Sequence, residues 1–283
     1  MKRIFASVLA AAMALSFGFP AAAAESGSEN KIVFYVSPDG SDSAAGTEKK
    51  PFQSLARAAK AVAETEKKQD ITVYLRGGEY KITEPVSLNS ANGGAGNVSV
   101  TYASYPGETA ILDGGTNISG WKEQSGGIWR AKVLPNMHFR NLYINGKKTI
   151  RARFPNEGSF LTLPGDPDGD EIIIEKNAQL ADFQNSDPPE LCVLVEWMEK
   201  KLRIAEYSEN EAHASVKLFN EEKMALSNAP QGAKISRGRA YWLENSLDWL
   251  DCGGEWYLDR TEGYVYYMPH SYENMNEVRA EAG

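Results

Sequence analysis

The sequence predicts a mainly β protein: the start of a parallel β-helix behind one amphipathic helix, then an antiparallel β-rich domain. Three observations predict it. Short β-branched and aromatic runs follow one another closely from Lys31 onward. Two similar runs beginning at Ile71 and Val98 are each followed by a glycine turn and further short strands, the spacing of stacked rungs. Past Trp121 the pattern changes to alternating runs joined by tight-turn residues, and Asn145-Gly146 between two such runs is a strong hairpin signal.

The elements follow in order. KIVFYV, at Lys31 to Val36, reads as a strand, and SPDGSDSAAGTEKK after it is turn chemistry. PFQSLARAAKAVAE places Phe52, Leu55, Ala59 and Val62 on one helical face, narrow enough to lie across the end of a sheet stack. ITVYL (Ile71 to Leu75), YKI (Tyr80 to Ile82), VSL (Val86 to Leu88), VSVTYA (Val98 to Ala103) and AIL (Ala110 to Leu112) read as short strands. Two turns of such a repeat also leave a β-sandwich open. IWRAKV, FRNLYI and KKTIRAR then alternate around Asn145-Gly146, and LCVLVEW and LRIAEY flank an expected turn at Met198 to Lys201. ENSLDWL, at Glu244 to Leu250, is expected to be the one short helix of this part. GEWYLD and YVYYMP read as a last hairpin, with Gly263 left-handed at its turn, Trp256 and Leu258 on one face, and Tyr264, Tyr266 and Met268 sharing a face.

Composition bounds the function. Lys2 and Arg3, the apolar run from Ile4 to Phe19 and the Ala-x-Ala site at Ala22 to Ala24 read as a cleaved export signal, too short an apolar run for a spanning helix of roughly 20 residues. The expected location is secreted, periplasmic or cell-surface, with no membrane span after cleavage. The chain's formal charge of −8 becomes more negative when Lys2 and Arg3 are lost, which argues against nucleic acid as a partner. Cys192 and Cys252 leave a disulfide open in an oxidising compartment, beside the alternative of two separate thiols.

No local constellation selects a catalytic group. Asp166, Asp168 and Asp170 alternate as in a calcium loop, but the glycine falls at the wrong place and Asn177 stands where a bidentate glutamate belongs, so a solvated loop is the reading and no metal is expected. Asp39, Asp42, Asp113, Glu196, Asp248, Asp251, Asp259 and Glu262 have the chemistry for glycoside hydrolysis, yet no spacing picks a facing pair. Arg151 and Arg153 in RARFP alternate about Ala152 and form a basic pair on one strand face, available to a bound anion or to structural ion pairs. Trp121 and Trp129 are candidates for stacking on sugar faces, with Trp242, Trp249 and Trp256 further aromatics of the same kind.

FYVSPDGSDSAAGTEKKPFQSLARAAKAV, ITVYLRGGEYKITEPVSL and VTYASYPGETAILDGG, in that order, resemble the amino-terminal cap and first rungs of secreted right-handed parallel β-helix carbohydrate enzymes. ISGWK, GIWRAKV, FRNLYINGKKTIRARFPN, YWLENSLDWLD and GEWYLDRTEGYVYYMP resemble the inserted β-domain of glycoside hydrolase family 141. The resemblance implies a signal peptide at 1–24, a cap and first rungs of a right-handed β-helix at 25–120, an antiparallel β-rich insertion at 121–270, and a return toward the β-helix at 271–283. It implies a polysaccharide-directed glycosidase needing no cofactor, with a glycan as partner and with catalytic carboxylates on later rungs, outside this chain. A stack of this kind needs roughly three or more repeats, so the expectation is a truncated piece, inactive alone. Two alternatives stay open: a non-catalytic carbohydrate-binding or structural β-module, and the amino-terminal part of a calcium-dependent polysaccharide lyase.

Overall fold

The computed structural model describes residues 31–134, 137–176, 180, 187–227 and 230–283; the expected export signal and Asn177 lie outside them. The chain divides into two compact units, one holding the chain through Tyr80 with Pro85–Ile111, the other Lys81–Glu84 with Leu112–Gly283.

In the first unit, β1 (Ile32–Val36) is followed by helix α1 (Leu55–Glu64) and β2 (Ile71–Leu75). Ser54 caps α1 by accepting from the Arg57 amide at 3.0 Å, and Asp42 in turn accepts from the amides of Gln53 and Ser54. The helix buries Leu55, Ala58, Ala59, Ala61 and Val62, and Phe52 is buried just before it. After β3 (Gly78–Lys81) come β4 (Val100–Ser104) and β5 (Ala110–Asp113). β1, β2 and β4 form a parallel sheet in that order, with Ile32 opposite Ile71 and Ile71 opposite Val100. Rungs therefore stack as expected, but the second begins at Val100 and not at Val98. Tyr35, Tyr74 and Tyr105 pack as successive rings 5.6–6.2 Å apart.

Val86 to Leu88, expected as a strand, is not one. Asn92 explains the departure: its carboxamide accepts from the Asn89 amide at 2.7 Å and donates to the Ser87 carbonyl at 2.8 Å. A side chain has taken hydrogen bonds that a neighbouring strand would otherwise supply.

The second unit is built from strands paired across long stretches of sequence. It opens with β6 (Thr116–Ile118), β7 (Lys122–Glu123), β8 (Trp129–Lys132) and β9 (Leu142–Ile144). β10 (Lys147–Lys148), β11 (Ile150–Arg151), β12 (Arg153–Phe154), β13 (Leu161–Thr162) and β14 (Glu171–Ile174) follow. Then come β15 (Glu190–Leu194), β16 (Glu199–Glu209), β17 (Ala214–Leu218), helix α2 (Asn220–Ser227) and β18 (Ala240–Glu244). β19 (Glu255–Asp259), β20 (Tyr264–Met268) and β21 (Ala280–Ala282) complete it.

Three sheets result: β10-β9-β21-β6, β11-β19-β20-β8-β7, and β12-β18-β15-β16-β17-β14 with β13 also on β18. The β9–β10 turn is the expected one, with positive φ at both Asn145 (51°) and Gly146 (76°). The β15–β16 hairpin turns earlier than expected, since Leu194 pairs with Glu199 and the loop is Val195 to Met198, with Trp197 70% exposed at its tip. The expected helix at Glu244 to Leu250 is a single 3-10 turn, Leu247–Trp249, and the fuller helix of this region is α2, whose acidic start (Glu221, Glu222) suits a helix N-terminus.

The closing hairpin is as read from its alternation, and Gly263 takes φ 70° at its turn. Both its faces are buried. Trp256, Leu258, Val265 and Tyr267 enter one hydrophobic core while Tyr257 enters the other, with Tyr266 and Met268 packed against it. β19–β20 is thus the wall between two cores, and β11 joins its edge in parallel, Ile150 opposite Glu255. β21 is a central strand antiparallel to both β6 and β9.

Candidate functional site

The run from Lys147 to Phe154 changes sheet twice. β10 belongs to the first sheet, β11 to the second and β12 to the third. Ala152, fully buried, marks the last crossing: its amide donates to the Trp256 carbonyl and its carbonyl accepts from the Asn245 amide. Arg151 and Arg153 therefore hang on different sheets, yet both line one cleft of about 570 Å³. Arg140, Lys201, Trp242, Glu244 and Trp256 line it too.

Its floor is an ion-pair network. Antiparallel pairing sets Glu190 of β15 directly opposite Glu244 of β18, two buried like charges that would repel. Three cations resolve this. Arg140 forks onto Glu190 at 2.8 and 2.6 Å, and Arg151 donates to the same carboxylate at 3.1 Å. Lys201 donates to both oxygens of Glu244 at 2.7 and 2.9 Å, and the Trp242 indole N–H adds a bond at 3.1 Å. Burial pushes the Glu190 carboxyl up, but the Arg140 hydrogen bonds and the Arg151 charge outweigh it, and the group lies below the ordinary glutamate value.

Arg153 differs from these. It is 8% exposed, and its side chain donates to two neutral carbonyls, Pro155 at 2.8 Å and Ser159 at 2.9 Å. Its guanidinium lies 4.5 Å from the Trp242 ring and 5.5 Å from that of Phe160. Burial lowers its pKa.

The two aromatics that line the cleft support cations and leave no open ring there for a sugar. Trp242 is covered by Arg153, and Trp256, 1% exposed, stacks on Phe139 at 5.2 Å beneath Arg151. Trp121 and Trp129, expected as stacking platforms, do not line the cleft; they pack partly buried against the core around Trp256, Trp121 edge-on to Tyr267 at 6.2 Å. Of the residues singled out from sequence, the structure brings Arg151, Arg153, Trp242 and Trp256 together here and leaves Trp121 and Trp129 elsewhere.

Cys192 lies near both glutamates, close enough for a thiol and two carboxylates to share an ion. The chemistry does not favour it. Burial raises the thiol far above its ordinary pKa, and both carboxylates already accept from cations. The disulfide left open from sequence is not formed: both cysteines are free, Cys192 buried within β15 and Cys252 exposed on the turn before β19.

Four of the eligible acids have structural partners, among them Glu196, which pairs with Arg239 at 3.5 Å. Asp42 holds the α1 cap, Asp113 pairs with Lys81 and Arg279, and Asp259 accepts from the Thr261 and Glu262 amides in the last hairpin. Glu190, Glu244, Arg140 and Lys201 were not singled out. Their signal was charge at alternate positions of apolar strands, Glu190 with Cys192 and Trp242 with Glu244, each pair on one strand face.

A sequence profile of the GH141 insertion domain matches residues 126–270, more than half of the chain and all of the cleft. The chain belongs to the GH141 insertion-domain family. A profile of the Pel9A-like right-handed β-helix region matches residues 34–159 of this GH141-type chain. A solved structure titled as a glycoside hydrolase superposes with a TM-score of 0.78 at 26% identity, covering 88% of this chain and 45% of that one. Pectate lyase PEL9 of Emericella nidulans is 39% identical over 80 residues, 28% of this chain and 18% of the relative. Uncharacterized protein YwoF of Bacillus subtilis is 38% identical over 81 residues, 28% of this chain and 15% of the relative. The GH141-type chain thus spans under half the length of the solved structure and under a fifth of either curated relative. No helix among its described residues is long and apolar enough to cross a membrane.

Proposed function

We propose that this chain is the glycan-contacting, non-hydrolytic part of a secreted, polysaccharide-directed glycoside hydrolase, whose hydrolytic carboxylates lie outside it. Likeness to a glycoside hydrolase structure and to a pectate lyase supports the polysaccharide. The pattern of Lys2 to Ala24 supports export.

One observation carries the non-hydrolytic part: the buried carboxylates Glu244, which lines the cleft, and Glu190, which pairs with the cleft's Arg140 and Arg151, are both committed to cations. A glycosidase acid must hold a proton near neutral pH and face a second carboxylate across the sugar. Glu190 is shifted the opposite way by Arg140 and Arg151, and Glu244 accepts from Lys201 through both oxygens. What the cleft offers a saccharide is N–H donors.

The test is to incubate the purified chain with a panel of polysaccharides, following reducing ends and ultraviolet-absorbing unsaturated products, and to run affinity gels on the same panel. Retardation in at least one gel with neither product released is the expected result. Release of reducing ends by the chain alone would overturn the non-hydrolytic assignment, and unsaturated products would establish a lyase in its place.

A further inference from the structure

The cleft carries a charge imbalance that the ion-pair network leaves over. Five cations line it, Arg140, Lys148, Arg151, Arg153 and Lys201, in a chain whose net charge is −8. Glu190 and Glu244 are matched by Arg140, Arg151 and Lys201, and Glu199 pairs with Lys201 at 2.9 Å. Among the described residues no carboxylate lies within ion-pair distance of Arg153; its direct partners are two uncharged carbonyls and two aromatic rings. The charges of Glu244, Glu157 and Glu255 act on it from farther off, but burial outweighs them, and a buried cation whose direct contacts are all neutral keeps a desolvation cost that an incoming anion would offset.

From these contacts we infer that the cleft binds the carboxylate of an acidic sugar, with Arg153 as its counter-ion and the saccharide ring lying toward Arg140 and Lys148. The inference rests on the glycan-contacting reading above and names the class of glycan. Three features favour a uronate. The guanidinium is planar and its N–H fork matches a carboxylate. The cleft, at about 570 Å³, has the size of a ligand site and exceeds what a lone small anion fills. Its aromatic faces are already occupied, so a neutral sugar has no ring to stack on. At the rim, Glu157 is an exposed carboxylate lining the same cleft, which an acidic ligand must approach against its charge.

Binding of galacturonate- and glucuronate-bearing oligosaccharides to the full chain, each compared with its carboxyl-reduced neutral counterpart, tests this by calorimetry. At least one acidic member should bind about tenfold tighter than its reduced form, the discrimination expected of one charge-assisted hydrogen-bonded contact, and the preference should shrink as salt is raised. Arg153→Gln should abolish the preference. Glu157→Gln, an exposed change that leaves the network intact, should strengthen acidic binding severalfold. Equal binding of acidic and reduced forms would overturn the uronate inference and leave the glycan-contacting reading standing. No binding of any member, with neutral polysaccharides also unbound, would overturn both. An Arg153→Gln chain that folds and keeps the preference would remove Arg153 from the site.

Discussion

Replacing Glu255 with glutamine should stabilise the protein at neutral and alkaline pH and leave it almost unchanged in mild acid. Glu255 is 1% exposed, and its Oε1 has no hydrogen-bond partner. Its Oε2 accepts long hydrogen bonds from the amides of Asp251 and Cys252, at 3.4 and 3.3 Å, and the Arg153 amide adds a weaker pull on the carboxyl. Burial, aided by the neighbouring Asp251 charge, raises its pKa from 4.5 to about 7 against the opposing pull of the backbone amides. The sign follows directly. Between these values the folded chain holds a proton that the unfolded chain has released, so stability falls as pH rises from about 4.5 to about 7 and then levels off. At about 1.4 kcal/mol per pH unit the full loss is ~3 kcal/mol. The exposed turn at Asp251 and Cys252 lets solvent screen the charge, and about 1–2 kcal/mol is the expected remainder. Glutamine mimics the protonated acid at every pH: its carbonyl accepts from the same backbone amides. Urea unfolding of both chains across this pH range gives the difference free of every other titrating group. A difference that stays flat from pH ~4.5 to ~8, or that favours the native glutamate at high pH, would refute the reasoning.

Glu190 should behave in the opposite way. Glu190→Gln leaves Arg151 and Arg140 without their shared carboxylate, and about 2–4 kcal/mol of stability should be lost at neutral pH. Because the folded pKa of Glu190 is depressed, its contribution is complete above the unfolded value and disappears as pH falls through the folded one, so urea midpoints of wild type and variant should converge in acid. For the cysteines, one thiol per chain, Cys252, should react with an aromatic disulfide reagent in the native protein and Cys192 only after unfolding. A chain with no titratable thiol even when unfolded would restore the bridge.

Where the sequence was legible, the signal was local. Alternation in Ile71–Leu75 and Glu255–Asp259, the Asn145-Gly146 pair and the capped run at Ser54 each specify an element from within a few residues. Errors arose where a distant partner or a tertiary choice decides. Trp197 looks like the end of a strand, yet it forms an exposed tip because the β15–β16 register is fixed by the buried face of β15, Leu191 and Val193 included. KKTIRAR alternates without interruption, and nothing within it announces that it serves three sheets in succession. The candidate site was half legible for the same reason. Arg151 and Arg153 stood out as a basic pair, while the carboxylates that divide their roles, Glu190 and Glu244, become neighbours only through β15–β18 pairing across more than forty residues of chain.

The central place of β21 fixes an order of events. β9 and β6 do not pair with each other; each bonds to the late strand between them, and the Arg279 amide reaches the Asn145 side chain across a sequence separation of 134. During synthesis, which proceeds from the amino terminus, both strands emerge with their inner edges bare and wait for almost half the chain to follow. Closing so long a loop slows assembly far more than it weakens the finished sheet. The β6 and β9 edges are therefore open to misjoining or to a chaperone for the whole interval before Ala280–Ala282 arrives, and that late strand is the one that ends the exposure.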